Sequence, residues 1–389
     1  MVGKPRTDPY ARCVDVVDRV VIGGGIVGWS TALALLERDP RRRVLVVDDA
    51  RTGRATDAGA GIATPFTRRD MGEDWAAMMF AAMRTYAELL PRLRDAGLEP
   101  GHQVVGKLLV AADDAQAGEL PEVLRRARAQ VAAFGTVGIG APELIDEPAV
   151  RTLHPLLGTV VAAMLLPEVA QVDGRALTAA LRARARALGA AERSGSAELL
   201  VTGDRLRGVR VDADVIASDT VVLAAGAWTG RLLSPLGLSA GVYPQRGQIA
   251  HARTDGAAPL PIAGGFDPTY LLCFGNGRLV FGPTREDDSG FEEAPSVGAL
   301  HAMLEQIQRL APGVAPARWL EIRSGLRPMS RDGVPTIGGL EHVPGLVLAT
   351  GLGAQGLTVG PQVGAWAAQV ADGEAPPVPA AFSPQRWAE

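Results

Sequence analysis

The fold of this chain is decided by the stretch Asp18-Arg-Val-Val-Ile-Gly-Gly-Gly-Ile-Val-Gly28, a short apolar run that ends in the pattern G-x-G-x-x-G. The residues that follow predict an amphipathic helix over Trp29 to Glu37 and then a second apolar strand, Arg43-Val-Leu-Val-Val-Asp48. The acidic residue that closes this strand lies 20 residues beyond Gly28. Strand, glycine-rich turn, helix and spaced carboxylate together predict a dinucleotide-binding βαβ unit.

Each glycine of the pattern has a separate physical role in such a unit. Gly23 permits the tight turn, Gly25 lets the backbone approach a pyrophosphate, and Gly28 lets helix and strand pack closely. The phosphates then lie at the positive end of the helix, and Asp48 accepts hydrogen bonds from a ribose. A plain glycine-rich turn in an ordinary α/β core would leave Asp48 without a role.

The composition is that of an ordinary globular protein. With 389 residues, 47% hydrophobic and 21% charged, the chain has room for two domains or for one domain with a large insertion. Its net charge of −4 gives no reason to expect a polyanionic partner, so we predict neither nucleic-acid nor membrane binding. Lys4 and Lys107 are the only lysines among 39 basic residues, a bias that we attribute to genomic base composition.

The sequence predicts no metal site. The five histidines are scattered, and the two cysteines, Cys13 and Cys273, have no metal-ligand spacing and are expected as free thiols in a reducing compartment. The first twelve residues lack the apolar core of a signal peptide, and no apolar run approaches the ~20 residues needed to span a bilayer. We therefore expect a cytoplasmic protein.

The order of predicted elements divides the chain into alternating segments. Nucleotide-side strands recur in three separated places, and strands of antiparallel type lie between them. We expect an α/β (α+β) fold in which a discontinuous Rossmann-type domain (13–75, 169–238 and 323–375) is interleaved with a mainly antiparallel β-sheet substrate domain (76–168 with a helical insertion, and 239–322), followed by a tail (376–389).

With these motifs in this order, nearly the whole chain resembles the FAD-dependent D-amino-acid oxidase superfamily, and within it the glycine oxidase and sarcosine oxidase branch. The motifs that carry the resemblance are Val20 to Gly28 with Asp48, Ala55-Thr-Asp-Ala-Gly-Ala-Gly-Ile62, Val221-Val-Leu-Ala-Ala-Gly-Ala-Trp228, Tyr270-Leu-Leu with Gly277 to Thr284, Gly325-Leu-Arg-Pro328 with Asp332 to Gly338, and Gly351 to Pro361.

The resemblance implies that the cofactor is FAD. By position, the cofactor-binding residues would be Gly23, Gly25, Ile26, Val27, Gly28, Asp48, Asp49, Ala55, Thr56, Ala60, Gly61, Ile62, Gly226, Leu352, Gly353, Ala354, Gln355, Gly356, Leu357 and Thr358. The adenine contact of the family falls in Gly189 to Leu200, which does not align securely and is left unassigned. Covalent attachment of the flavin stays open.

The resemblance also implies a carboxylate anchor for the substrate. Arg327 would bind the carboxylate with its guanidinium fork, and Tyr270 would add a hydroxyl donor. Position alone favours a structural salt bridge for Arg327 and a half-buried strand aromatic for Tyr270. No catalytic acid or base is expected, because placing the substrate carbon over flavin N5 supplies much of the rate and the electronic step belongs to the cofactor.

The chain departs from the glycine oxidase pattern in the turn at Gly351 to Gly356. The pattern has a second arginine there, and the matching residue is Ala354. This loss leaves room for a substituent on the amine nitrogen, so the expected substrate is an N-substituted (N-carboxymethyl) glycine, oxidised by O2 to glyoxylate, a free amine and hydrogen peroxide. Oxidases of this kind act in the biosynthesis of macrolactam antibiotics, and a similar role is an expectation here.

Three other functions remain open. One is a glycine or D-amino-acid oxidase, a second is a D-amino-acid dehydrogenase that passes electrons to a quinone, and a third is a non-catalytic flavin-binding subunit. The sequence does not determine the substituent on the amine or whether the chain forms a homo-oligomer.

Overall fold

The computed structural model describes residues 13–255 and 258–387. These residues form strands β1 to β21 and helices α1 to α9, numbered in chain order, and the strands lie in four sheets. The expected fold class, a Rossmann-type sheet interleaved with a mainly antiparallel sheet, is confirmed. None of the helices within the described residues is long and apolar enough to cross a bilayer.

The nucleotide-side sheet has six strands in the order β10-β3-β2-β14-β21-β20. They are β2 (Arg19–Ile22), β3 (Val44–Asp48), β10 (Ala191–Ser194), β14 (Val221–Leu223), β20 (Thr336–Gly339) and β21 (Leu346–Thr350). All are parallel except β20, which lies antiparallel at one edge. The central strands are unbroken apolar runs because the sheet is covered on both faces.

Four helices cover one face of this sheet, and a small sheet covers the other. The helices are α1 (Ile26–Arg38), α3 (Glu73–Asp95), α6 (Gly174–Ala187) and α9 (Gly356–Ala371). The small sheet consists of β1 (Cys13–Val16), β11 (Ala197–Thr202), β12 (Arg205–Val211) and β13 (Asp214–Ala217), with α7 (Thr229–Leu233) beside it. Along β2 and β3, alternate side chains therefore enter two different apolar cores.

The second large sheet has eight strands in the order β19-β15-β18-β17-β16-β6-β8-β7. They are β6 (Lys107–Ala111), β7 (Glu143–Asp146), β8 (Ala162–Leu166), β15 (Val242–Arg253), β16 (Leu260–Gly264), β17 (Tyr270–Cys273), β18 (Arg278–Gly282) and β19 (Arg318–Ser330). Only the β16–β6 pair is parallel. Helix α4 (Asp114–Phe134) packs on one face, and α5 (Glu147–Leu153) and α8 (Val297–Leu310) pack on the other.

The remaining elements connect the two large sheets. They are the four-residue helix α2 (Ala55–Ala58) and a three-stranded sheet of β4 (Ile62–Ala63), β9 (Ala170–Val172) and β5 (His102–Val104). β4 and β9 pair although more than 100 residues separate them in the chain. This pairing brings the small-residue segment after β3 against the start of the second nucleotide-side segment.

One boundary differs from the expected one, and the tail contains ordered turns. β19 pairs with β15 up to Ser330, so 323–330 belong to the eight-stranded sheet and not to the third nucleotide-side segment. In the tail, short 3-10 turns at Ala380–Phe382 and Pro384–Trp387 follow the last helix. Phe382 is fully buried and its ring lies 6.1 Å from that of Trp75, so apolar burial orders part of the tail.

We predict that Gly28→Ala destabilises the protein. An added methyl would lie 1.8 Å from the carbonyl oxygen of Gly23, where both groups are backbone and cannot move aside. Overpacking of this kind costs about 1–3 kcal/mol or more. Thermal unfolding should show a lower Tm for Gly28→Ala, whereas Gly298→Ala, in α8 with no atom within 4 Å of the added methyl, should keep or slightly raise Tm because alanine favours the helix. Equal Tm values for the two variants would contradict the packing role of Gly28.

Candidate active site

A cavity of about 1350 Å³ lies between the two large sheets. One wall is formed by residues at the carboxyl ends of β2, β3, β14 and β21, and the opposite wall by β15, β17 and β19. Ligands of open α/β sheets bind outside the carboxyl ends of the strands. Because pockets for a single small ligand occupy about 300–1,000 Å³, this cavity has room for a dinucleotide and a small substrate together.

Most of the predicted site residues line this cavity. They are Gly23, Gly25, Ile26, Val27, Asp48, Asp49, Ala55, Thr56, Ala60, Gly61, Ile62, Gly226, Leu352, Gly353, Ala354, Gln355, Gly356 and Leu357, with Tyr270 and Arg327. Gly28 and Thr358 are not part of its wall. Gly28 packs against Gly23, and the hydroxyl of Thr358 donates to the carbonyl oxygen of Ile62 at 3.2 Å, so both support the wall from behind.

The glycine-rich turn leaves space that side chains would fill. A Cβ on Gly23 would lie 2.4 Å from the carbonyl oxygen of Ala224, so the turn lies directly against β14. Gly25, the residue before α1, has no side chain to cap the helix. The positive end of α1 is therefore open to a phosphate, as a pyrophosphate-binding turn requires.

Asp48 is held at the carboxyl end of β3. Its carboxylate accepts hydrogen bonds from the N–H of Gly24 at 2.5 Å, from the N–H of Ala50 at 2.7 Å and from Arg54 Nη1 at 3.1 Å. Asp48 pairs with Ser194 of β10, and Gly195 to Leu199 therefore line the cavity beside it. The sequence leaves the adenine contact unassigned within Gly189 to Leu200. Part of that stretch lies where the adenosine end of a dinucleotide would extend if Asp48 held its ribose.

The small-residue segment brings backbone close to the cavity. Gly61 has φ +99°, and a Cβ there would lie 2.0 Å from the carbonyl oxygen of Val172. Thr56 accepts a hydrogen bond from the N–H of Ile26 at 3.2 Å, which fixes the segment to the start of α1. No bulky side chain stands between this backbone and the cavity.

The glycine-rich turn after β21 presents the start of α9 to the cavity. Gly351 and Gly353 have positive φ angles of +78° and +52°, and no side chain caps α9 at Gln355. The hydroxyl of Tyr86, which the sequence did not single out, donates to the carbonyl oxygen of Leu357 at 2.5 Å and holds the first turn of the helix. The positive end of the α9 dipole can therefore stabilise negative charge in the cavity.

Arg327 is a half-buried guanidinium without an acidic partner. Its Nη1 donates to Gln245 Oε1 at 3.0 Å, and Nη1 and Nη2 both donate to the carbonyl oxygen of Thr284 at 3.1 Å. The group lies flat on Gly247, where a Cβ would be 2.2 Å from Nη2. Among the described residues it forms no ion pair, so the salt-bridge alternative for Arg327 is not what the structure shows.

Neutral acceptors hold Arg327, and they keep its charge available. Gln245 in turn donates from Nε2 to Asp287 Oδ1 at 2.7 Å. The side-chain amide of Gln245 therefore lies between the Arg327 guanidinium and the Asp287 carboxylate. Burial lowers the pKa of Arg327, and its charge is incompletely compensated. A carboxylate arriving from a ligand would supply that compensation in the bidentate geometry that guanidinium prefers. Sequence reasoning missed both Gln245 and Gly247.

Tyr270 lines the same part of the cavity. Burial raises the pKa of Tyr270 to about 12, although the charges of Arg327 and Arg285 act in the opposite direction. The phenol is therefore neutral at physiological pH and can donate a hydrogen bond.

The cavity wall around Ala354 is small and sulfur-lined. The neighbouring Gly353 has Met329 Sδ within 3.3 Å of the position of a Cβ, and Gln355 Nε2 lies 3.9 Å from Met71 Sδ. Met71 and Met329 both line the cavity. Methionine side chains adapt their shape to a ligand, so this wall is compatible with a substituent of variable size.

Lys107, to which the sequence pattern gave no role, is a cation in the cavity wall. It has no hydrogen-bond or ion-pair partner among the described residues. Burial lowers the pKa of Lys107 to about 8. Two other cations of the wall are paired with carboxylates: Arg51 with Asp49, and Arg54 with Asp48 at 3.1 Å.

Within residues 13–255 and 258–387, no three His, Cys, Asp or Glu side chains cluster as metal ligands. The residues of this cavity fit a dinucleotide, because glycine cradles, two helix N-termini and the carboxylate of Asp48 surround space of the required size. The fold and the site define a flavin-dependent oxidoreductase. The family model described as FAD dependent oxidoreductase (DAO) matches residues 18–370, and the chain belongs to this family.

Two curated relatives extend over nearly the whole chain. Uncharacterized oxidoreductase YurR of Bacillus subtilis is 33% identical over 359 residues, which cover 91% of this chain and 95% of the relative. A glycine oxidase of Pseudomonas aeruginosa is 31% identical over 373 residues, which cover 94% and 98%.

Among solved structures, the iminodiacetate oxidase of Chelativorans sp. BNC1 is similar, with a TM-score of 0.89, 33% identity and coverage of 94% of this chain and 98% of that one. The predicted family and its glycine oxidase branch are confirmed, the cofactor is FAD, and the chain is a glycine oxidase-like oxidoreductase.

We predict that Gly247→Ala weakens the binding of carboxylate ligands while FAD stays bound. The added methyl would occupy the position of the Arg327 guanidinium, a movable group, so the cost falls on the anchor and not on the fold. A charged hydrogen bond lost in this way corresponds to a Kd about 10- to 100-fold higher. The measurement is a titration of the flavin spectrum with acetate or a similar carboxylate.

The matched control is Gly264→Ala, in the same cavity, where the nearest atom to the added methyl is 3.4 Å away. The control should keep the affinity of the parent. If Gly247→Ala also keeps that affinity, Arg327 is not the carboxylate anchor.

We predict that Lys107→Met stabilises the protein at pH 7. The pKa of Lys107 falls from 10.5 to about 8 on folding, so the unfolded chain binds more protons between these values and stability rises with pH across that interval. Below pH 8, the folded protein bears the full free-energy cost of burying the charged Lys107 amine. Removing this cost should raise the free energy of unfolding by about 1–3 kcal/mol. Urea unfolding at pH 7 and pH 10.5 should show the gain only at pH 7, and Lys107→Arg should show none. A gain of equal size at both pH values would mean that packing, not charge, is the cause.

Proposed function

We propose that this protein oxidises N-substituted glycines, amines that carry an N-carboxymethyl group. The observation that carries the proposal is the unpaired guanidinium of Arg327, held by Gln245 and Thr284 in the cavity where Ala354 leaves space. The hydride leaves the glycine carbon, the resulting imine adds water, and the products are glyoxylate and the free amine. The chemistry that FAD supplies when bound is acceptance of this hydride and transfer of both electrons to O2, which gives hydrogen peroxide.

The side chains act by binding and orientation. Arg327 binds the carboxylate, and the neutral phenol of Tyr270 donates a second hydrogen bond to it, which fixes the direction of the glycine carbon. No carboxylate or histidine is assigned to proton transfer, because the substrate amine reacts after it has lost its proton. The start of α9 supplies a positive dipole for the negative charge that develops on the reduced cofactor.

The relatives support this substrate class. The Pseudomonas aeruginosa relative is a glycine oxidase, and the solved structure with a TM-score of 0.89 is an iminodiacetate oxidase. Iminodiacetate is itself an N-carboxymethyl amine. Ala354, without a charged side chain, and the adaptable wall at Met71 and Met329 favour a substituted nitrogen over the free amine of glycine.

The test is anaerobic mixing of the purified holoprotein with glycine, D-alanine, sarcosine, iminodiacetate and N-octylglycine, with flavin absorbance as the readout. We expect bleaching by at least one N-substituted glycine with a kcat/KM about tenfold or more above those of glycine and D-alanine. Arg327→Ala should keep FAD bound and lose the bleaching. Faster bleaching by glycine or D-alanine would indicate ordinary amino-acid oxidation, and no bleaching by any compound would contradict the proposal.

The electron acceptor is tested in the same preparation. Reduced flavin exposed to air should reoxidise rapidly with formation of one hydrogen peroxide per substrate. Slow reoxidation in air together with rapid reoxidation by a soluble quinone would identify a dehydrogenase.

A further inference from the structure

Arg285 is a second cation of the cavity wall, on the segment that follows β18. Its side chain has no hydrogen-bond or ion-pair partner among the described residues. The acidic residues beside it in sequence are already engaged. Glu286 accepts from Arg246, Gln248 and Thr284 at 2.5, 2.5 and 2.8 Å, and Asp287 accepts from Gln245 at 2.7 Å.

Arg285 lies within electrostatic reach of the carboxylate anchor. Its charge acts on Arg327 and on Tyr270, and it lowers the pKa of both. Arg285 directly follows Thr284, whose carbonyl oxygen accepts from Arg327 at 3.1 Å, so the two arginines line neighbouring parts of the cavity, and neither is paired with a carboxylate of the described residues. Like charges held close together raise the energy of the ligand-free site, and an anionic ligand relieves this repulsion.

One carboxylate does not satisfy both groups. Arg327 extends from β19 and is held by Gln245 and Thr284, whereas Arg285 extends from the segment that follows β18. A single carboxylate bound in bidentate geometry at Arg327 leaves Arg285 without a counter-charge. A second anionic group on the same ligand would provide one.

We propose that Arg285 forms a second carboxylate subsite and that the preferred substrates are dicarboxylates, N-carboxymethyl amines whose nitrogen substituent carries another carboxylate. This inference rests on the proposed function and specifies its substrate class. The second positive charge of the site is then supplied by Arg285, on the segment that follows β18. In the glycine oxidase pattern, the second arginine lies instead in the turn at Ala354. A purely alkyl substituent would leave Arg285 unpaired.

Another arginine of the wall provides the matched control. Arg69 also lines the cavity and its side chain also has no partner among the described residues. Unlike Arg285, it is not among the charges that shift the pKa of Tyr270. Arg69→Ala therefore removes one positive charge from the same cavity at a position away from the carboxylate anchor.

The experiment compares two ethers that cannot form an imine. Diglycolate has two carboxylates and methoxyacetate has one, and each Kd is obtained by titrating the flavin spectrum of the holoprotein. The parent should bind diglycolate more tightly than methoxyacetate. Arg285→Ala should raise the Kd of diglycolate about 10- to 100-fold and change the Kd of methoxyacetate by less than about twofold. Arg69→Ala should change neither Kd by more than about twofold.

Two results would overturn the subsite: equal weakening of both ethers in Arg285→Ala, or no weakening of diglycolate. An equal loss of diglycolate affinity in Arg69→Ala and Arg285→Ala would also overturn the subsite. The cause would then be the total positive charge of the cavity and not the position of Arg285. Binding of the ethers requires no turnover, so this outcome is separate from the proposed function, which fails if iminodiacetate and the other N-substituted glycines do not bleach the flavin.

Discussion

The site depends on a half-buried positive charge, the guanidinium of Arg327, which the protein surrounds with neutral acceptors. β15 and β19 pair along the 12 residues of β15, and this ladder places Gln245 opposite Arg327, with Gly247 two residues further along β15. Burying a guanidinium without a carboxylate is costly, and here an amide oxygen and a backbone carbonyl offset only part of that cost. A ligand carboxylate would recover the remainder of this free energy, and on this ground we propose that the strand pair adapts the cavity to an anion.

The second half of the site follows from the parallel sheet. Four neighbouring strands end at one edge, and the chain leaves two of them, β2 and β21, through glycine-rich turns that begin helices. Helix N-termini are electropositive, so the same edge that accepts a pyrophosphate at α1 can stabilise an anionic reduced flavin at α9. Because the eight-stranded sheet faces this edge across the cavity, two separate layers would hold FAD and substrate against one another.

The sequence predicted those features that depend on local pattern. The βαβ unit, Asp48 at the end of its second strand, the interleaved fold and the approximate extent of α1 follow from glycine spacing and from the helical period. Arg327 and Tyr270 were named from a family resemblance, and the structure places both in the cavity. For Thr358, predicted to contact the cofactor, the structure shows that its hydroxyl donates to the carbonyl oxygen of Ile62.

What sequence reasoning missed lies in contacts between distant segments. Gln245 meets Arg327 across 82 residues, and no pattern near either residue indicates this register. Gly195 to Leu199 reach the cavity because β10 pairs with β3, and the free side chains of Lys107 and Arg285 are apparent only once their neighbours are known. A solitary lysine or arginine has no local signal of burial, so its role depends on tertiary structure.

The most direct test of the central claim, that Arg327 fixes which carbon of the substrate faces the flavin, is the identity of the products formed from sarcosine. This amine has two oxidisable carbons, one in the carboxymethyl group and one in the methyl group. If the anchored carboxylate presents the glycine carbon, the products will be glyoxylate and methylamine. Formaldehyde and glycine as the main products would show that the methyl carbon is presented instead, and would contradict the account.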